Sequence, residues 1–471
     1  MIRNAKIVCT IGPASDSQEA LEDLADAGMS VARMNASHGT PEERRTLIDK
    51  VREVDATTDE TIAVMHDIPG PEIRTAPIDG SIHLEAGSKV QFYEGKEATP
   101  REIGISHGLT AVEQGDRILL DDGRIETTVT SVDGDVVTAK VENGGKLGGR
   151  KGVNVPGVEL GLPTITEQDK RELEVAADKE VDFVASSFVR DGDFVREISQ
   201  TLEDLGAEIP VISKVERGVA VENIDSIIEA SYGVMVARGD LGVESPLEEV
   251  PMVQKRIIRK CNEAGVPVIT ATEMLDSMIN SRRPTRAESS DVANAVLDGT
   301  DAVMLSGETA MGDHPVRVVE TMDRIVRETE ASPEYARHLE QHVPDADETQ
   351  TDALARSARS LALDISADAI VAASESGYTA LKAAKFRPSV PVVASTPDDD
   401  VRRQLVLSRG VTPVTTPYVS EGAGAVISQA VQSAVETNAL DSGDRVIALS
   451  GMMTELDDTN SSNMLKIHRA P

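Results

Sequence analysis

The feature that most constrains this chain is a rhythm. Apolar runs of about four to six residues recur through its first two thirds, and most finish in residues with a charge or a hydrogen-bonding group. The runs are "KIVCTI" (6–11), "SVARMN" (30–35), "TIAVMHD" (61–67), "VDFVASS" (181–187), "PVISKVE" (210–216), "YGVMVARGD" (232–240), "VPVITAT" (266–272) and "DAVMLSGE" (301–308). Amphipathic stretches lie between them, at 17–27, 42–54, 167–178, 251–264 and 289–297. That alternation predicts parallel strands joined by helices, and about eight such strands close a (β/α)8 TIM barrel. The polar endings are Arg33, Asn35, Asp67, Ser186, Ser187, Lys214, Glu216, Arg238, Asp240, Thr272, Ser306 and Glu308. In a barrel the carboxyl ends of the strands converge on one mouth, so these side chains are expected to share one site.

One interval is too long for a strand-to-helix loop. After Asp67 the pattern changes to period-two strands with Asp-Gly turns, as in "RILLDDGRIETTVTSVDGDVVTAKV", which predicts an all-β lid inserted after the third strand. We expect the barrel to occupy 1–70 and 161–335, with the lid over 71–160. A polar connector over 328–352 leads to a C-terminal α/β domain at 350–471, where "AIVAAS", "PVVAST", "VTPVTT" and "RVIALSG" alternate with helices and "NMLKIHR" is a candidate edge strand.

The chain of 471 residues carries 81 acidic and 47 basic residues, a net charge of -34. Nonspecific binding to nucleic acid or to an anionic membrane is therefore not expected, and an anionic substrate needs local cations or metals. We read this excess as a solvated, acidic surface suited to high salt, with an ordinary acidic protein as the alternative. Cys9 and Cys261 fall in a predicted strand and a predicted helix, with no disulfide framework or metal-ligand cluster, which points to core packing. With no signal peptide and no apolar span long enough for a membrane, the expectation is a soluble, cytoplasmic protein.

Glu216 follows Lys214 by two, so both project from one face of a strand. With Asp240 from the next strand, Glu216 can offer two carboxylates to one divalent ion, and Mg²⁺ (or Mn²⁺) suits a site completed by water and substrate oxygens. Arg33 and Lys214 add fixed positive charge beside it, the requirement of phosphoryl transfer. Gly239 permits close approach of backbone N–H groups to an anion. Interstrand ion pairs with no catalytic role are the alternative, and they explain less as cations, carboxylates and Thr272 collect at one end. The triplet Arg238-Gly239-Asp240 is common by chance and does not argue for adhesion.

"KIVCTIGPAS", "GMSVARMNASHG", "GPEIRT", "KGVNVPG", "VISKVE", "VMVARGDLG", "RRPTRAESSDVANAVLDGTDAVMLSGETA" and "NMLKIHR" together resemble the pyruvate kinase family, in order and from one end of the chain to the other. The resemblance implies transfer of the phosphoryl group of phosphoenolpyruvate to ADP, giving pyruvate and ATP, usually by a homotetramer. It implies that Lys214 stabilises the transferring group, that Glu216 and Asp240 bind the divalent metal, and that Arg33 contacts phosphate. Gly239, Asp240 and Thr272 would receive the substrate carboxylate, with Thr272 near the carbon that is protonated. Asn35, Ser37, Asp67 and the carbonyl of Ile68 match a K⁺ site. Asn35, His38, Arg74 and Lys151 match nucleotide contacts, and Lys151 reaches in from the lid.

The sequence departs from the family at several points. "DIPGPEIR" stands where "DTKGPEIR" is usual, and Glu72 is retained, which in this family accompanies K⁺ dependence. Tyr232, Glu273 and Met311 also replace common residues. In the C-terminal domain Ser374, Ser376, Gly377 and Thr379 align with a loop that cradles a phosphorylated allosteric effector; an ordinary strand-to-helix turn explains them equally, and Glu375 would repel phosphate. No phosphohistidine-type domain is expected after "KIHRAP". A lyase sharing the metal-enolate chemistry would not need Arg74, Lys151 or the lid. A noncatalytic sensor would not need Lys214, Glu216, Asp240 and Thr272 together.

Overall fold

The computed structural model describes residues 3–58, 60–347, 349–419, 422–450 and 463–471. Eight parallel strands close a barrel: Lys6–Ile11, Val31–Asn35, Ala63–Ile68, Phe183–Ser186, Val211–Val215, Gly233–Ala237, Val268–Ala271 and Ala302–Leu305, the last pairing with the first. Because successive side chains on a strand face opposite ways, each strand serves two layers. Val8, Met65, Phe183, Ile212, Met235, Ile269 and Met304 fill the interior. Val64, Ile68, Val184, Val215, Val236 and Val303 pack outward against the helices. Cys9 and Cys261 are free and buried in that outer layer, where burial pushes both thiols up.

Several expected strands are shorter than the apolar runs. The run at 232–240 stops at Ala237, and Arg238–Glu244 is a helix. Thr272 leaves its strand at Ala271, and the eighth strand ends at Leu305 before a short helix at Gly307–Ala310. In each case the ladder ends before the polar residues, whose side chains are needed at the mouth and not in the sheet. Helices match the expected stretches to within a few residues. That at 289–297 is longer, Arg286–Asp298, because Thr285 and Glu288 form a capping box at its start.

Between the third and fourth strands, which pair directly, the chain builds a seven-stranded and a two-stranded sheet around a separate core that includes Phe92, Ile118, Val129 and Leu147. This is the expected all-β lid. The C-terminal domain is a five-stranded sheet flanked by helices, with Met464–Arg469 as its one antiparallel edge strand and Val411–Thr415, which contains Pro413, at the other edge. Gly451, at the end of the run "RVIALSG", lies outside the described residues.

The C-terminal domain closes the barrel end opposite the mouth. Val406 and Leu407 join the interior cluster, Leu407 lying against Gly233 at the start of its strand. Around them Asp182, wholly buried, accepts from the Val64 amide (2.6 Å), Arg52 (2.7 Å) and Arg403 (2.8 Å). Tyr232, a departure from the family pattern, donates its hydroxyl to the Gln404 carbonyl at 3.1 Å.

Candidate active site

At the mouth, the second, third and fifth strands deliver a compact charged cluster. Arg33 donates Nε to Asp67 at 2.6 Å and Nη1 to the Thr10 hydroxyl at 2.8 Å. Lys214 Nζ reaches the Ser187 hydroxyl at 2.7 Å, Glu216 Oε1 at 2.9 Å and Asp67 Oδ1 at 3.3 Å. Ser187 in turn donates to the Ile68 carbonyl at 2.8 Å. Arg33, Asp67, Lys214 and Glu216 are all buried, none more than 9% exposed. Charges held this deep persist only when paired, and here each is.

The pairing leaves a residue of negative charge. Two cations, Arg33 and Lys214, face three carboxylates: Asp67, Glu216 and Asp240. Burial works against the Asp67 carboxylate, yet Arg33 and Lys214 hold its pKa below the usual range. Burial opposes the charged form of Lys214, and Asp67 and Glu216 more than reverse this, raising its pKa. Glu216 is pushed up to about 6, first by burial and then by Asp240, although Lys214 and the Phe188 amide, which donates at 2.7 Å, oppose the shift. Asp240 is likewise raised by burial, with Asp122, Glu72 and Asp67 adding to it against Lys214.

Two adjacent carboxylates whose pKa values are both raised by burial mark a place short of positive charge, which a divalent cation would supply. Among the described residues no three His, Cys, Asp or Glu side chains form a metal-binding group. Two carboxylates fit Mg²⁺, which keeps several waters and takes its remaining ligands from substrate. For a monovalent ion, Asp67 and Ile68 adjoin through Ser187, and Asn35 pairs in register with Asp67. The Asn35 side-chain oxygen accepts from the Ser37 amide at 3.1 Å. These are all hard oxygen donors, the chemistry that K⁺ requires.

Thr272 stands on the far side of the cluster in an unusual backbone state. Its φ is 67° and that of Glu273 is 52°, so two successive non-glycine residues are left-handed, the first β-branched. Such geometry costs about 1–3 kcal/mol per residue and persists where surroundings impose it. Thr272 Oγ1 accepts from the Gly239 amide at 2.8 Å and donates to the Ala271 carbonyl at 2.7 Å. The first turn of the Arg238–Glu244 helix is thus fastened to the end of the seventh strand. Nearby, Glu308 accepts from the amides of Leu275 (3.0 Å) and Ser306 (2.7 Å), tying the seventh-strand loop to the eighth strand.

The expected nucleotide contacts are less tightly gathered. Arg74 pairs with Glu72 at 2.6 Å and Lys151 with Asp121 at 2.7 Å, both on the lid. Glu72 feels the charges of Asp122 and Glu216, which places the lid base beside the mouth. Asn154 of the lid donates to Glu244 at 3.1 Å. His38 lies in the turn before the helix Pro41–Thr57, its carbonyl held by Arg44 Nη1 at 2.6 Å. Arg44 is in turn clasped by the buried Glu172, which also contacts the buried His66. Ser374, Ser376, Gly377 and Thr379 are in the C-terminal domain, away from the mouth, where Gly377 (φ 76°) opens the helix Tyr378–Lys385.

Sequence reasoning gave no individual role to Ser187 or Asp121, or to the side chain of Arg238. Ser187 was visible as the last polar residue of its run. Asp121 sits in a "DDG" turn with φ of 52°, and its partner Lys151 is 30 residues away, a pairing that only the folded lid reveals.

The chain was compared with known proteins. Residues 2–319 match the family model "Pyruvate kinase, barrel domain" and residues 352–468 match "Pyruvate kinase, alpha/beta domain". Pyruvate kinase from Geobacillus stearothermophilus is 46% identical over 476 residues, covering 99% of this chain and 80% of that protein. Pyruvate kinase from Staphylococcus aureus (strain MRSA252) is 45% identical over 473 residues, with the same coverage. With both domains matched and relatives aligned along nearly its whole length, the chain belongs to the pyruvate kinase family.

Proposed function

We propose that this protein transfers the phosphoryl group of phosphoenolpyruvate to ADP, giving pyruvate and ATP. The observation that carries this reading is the buried set Arg33, Asp67, Lys214 and Glu216 with the half-buried Asp240 beside it, in which two fixed cations adjoin three carboxylates. In this reading Lys214, held by Ser187 and Asp67, points its ammonium at the phosphoryl group as charge moves onto the equatorial oxygens. Arg33, braced by Asp67 and Thr10, steadies a phosphate oxygen. Gly239 and Asp240 meet the substrate carboxylate, and Thr272 holds its hydroxyl near the carbon that takes up a proton. Glu216 and Asp240 would hold a divalent ion, whose charge would stabilise the phosphate oxygens.

Asn35, Ser37, Asp67 and the Ile68 carbonyl are the proposed K⁺ ligands, and Arg74, Lys151, His38 and Asn35 serve the nucleotide. On lid closure Lys151 exchanges Asp121 for ADP and water is excluded. The proposed units are the barrel at 1–70 and 161–335, the lid at 71–160 and the C-terminal domain at 350–471. A homotetramer, a phosphorylated effector at Ser374–Thr379 and a cytoplasmic location complete the reading. It is supported by family membership and, among the described residues, by the lack of any helix long and apolar enough to cross a membrane.

A coupled assay of pyruvate formation from phosphoenolpyruvate and ADP tests the proposal. Turnover should be abolished by omitting Mg²⁺ and depressed when K⁺ is replaced by a large organic cation. Full activity without either ion would refute the ion assignments. Titration with sugar phosphates and AMP, and sedimentation, test the effector and the oligomer.

A further inference from the structure

The triplet Arg238-Gly239-Asp240 is only partly used by the reading above: Gly239 and Asp240 have places at the substrate, and Arg238 has none. Its guanidinium instead donates Nε to the Ala271 carbonyl at 3.1 Å and Nη2 to the Thr272 carbonyl at 2.7 Å. On its other side Nη1 is anchored by Asp291, at 2.7 Å, on the helix Arg286–Asp298. The two carbonyls belong to the peptide planes immediately before and after the Thr272 Cα. A planar, rigid fork that grips both fixes the rotation about either side of that atom. Those are the two rotations that Thr272, at φ 67°, holds outside the range a β-branched residue adopts by preference. Strain of this kind survives only where neighbouring groups over-determine it, and Arg238 is the charged group that does so here.

We infer that Arg238 is a positioning residue: it holds Thr272 in its left-handed geometry and so keeps the Thr272 hydroxyl and the Gly239 amide where the substrate carboxylate and the protonated carbon require them. This rests on the proposed role of Thr272 at phosphoenolpyruvate. An arginine serving only as an ion-pair partner of Asp291 would predict something different. Its loss would then be mimicked by Asp291→Asn and would not respond to backbone changes beside Thr272.

The test compares the full-length protein with Arg238→Lys, Arg238→Met, Glu273→Gly, the double variant Arg238→Met/Glu273→Gly, and Asp291→Asn. Each is checked for a cooperative thermal transition and assayed with phosphoenolpyruvate and ADP. Arg238→Met should lower kcat about 10²-fold, the scale for displacing a reacting group by about 1 Å, with the KM for ADP unchanged. Arg238→Lys, a point charge that cannot grip both carbonyls, should fall between. Glycine at 273 adopts positive φ without outside support, so the double variant should recover about tenfold over Arg238→Met, while Glu273→Gly alone stays near the wild-type rate. If Arg238→Met does not fold, Arg238→Lys with and without Glu273→Gly supplies the same comparison. The inference is overturned if the arginine variants keep kcat within about twofold of wild type, if glycine at 273 gives no recovery, or if Asp291→Asn reproduces the whole loss. An inactive wild type would overturn the proposed function and this inference together; an active wild type with unaffected variants overturns the inference alone.

Discussion

Glu216 is the residue on which sequence, geometry and electrostatics meet most directly. It ends an apolar run, sits 2.9 Å from Lys214, and is pushed up to about 6 by burial and by Asp240. Removing its charge removes half of the carboxylate pair proposed for the metal. Glu216→Gln should therefore weaken Mn²⁺ binding in the presence of phosphoenolpyruvate by at least the roughly 100-fold that outer contacts to a metal can contribute. Electron paramagnetic resonance titration measures this, and unchanged affinity would remove Glu216 from the site. Its neighbour Ser187 carries no charge yet organises the cluster, because one hydroxyl joins Lys214 to the Ile68 carbonyl.

Among the elements, what could be read from sequence divides along physical lines. The barrel strands declared themselves because each is apolar on both faces and ends in polar residues, and Glu167–Asp178 emerged with its expected bounds. What stayed hidden was where the backbone turns. Nothing in "ARGD" or "TATE" announces a helix starting at Arg238 or left-handed residues at 272 and 273, since side-chain polarity alone does not report φ. Pairings distant in sequence were equally hidden. Lys385 and Asp352 form an ion pair at 2.6 Å, both side chains wholly buried, between two helices of the C-terminal domain. Burial, the largest single influence, raises the Asp352 pKa, but the hydrogen bond from Lys385, the Asp347 amide and the charges of Lys382 and Lys385 together outweigh it, and the result lies below the usual range. A carboxylate with a depressed folded pKa contributes stability above its unfolded pKa, and that contribution fades as pH falls through the folded one. Asp352→Asn should therefore cost about 3–5 kcal/mol near neutral pH, and the gap from wild type should shrink below about pH 4. Chemical denaturation at several pH values checks both.

Across the whole molecule the net charge of -34 contrasts with the cationic demands of the mouth, and the fold separates the two by burying Arg33 and Lys214. The other end of the barrel uses buried charge for attachment. Asp182 clasps Arg52 and Arg403 at once, so Asp182→Ala leaves two guanidiniums without their shared partner. A loss of about 3 kcal/mol is expected, with the C-terminal domain loosening first, seen as faster hydrogen exchange of the strand amides at 392–396.

The central claim is that Lys214 supplies positive charge to a phosphoryl group in transit. Turnover by Lys214→Met, measured in the coupled assay on protein whose melting is cooperative, tests it most directly. The account predicts a fall in kcat of about 10²-fold or more; turnover within a few-fold of wild type would contradict it.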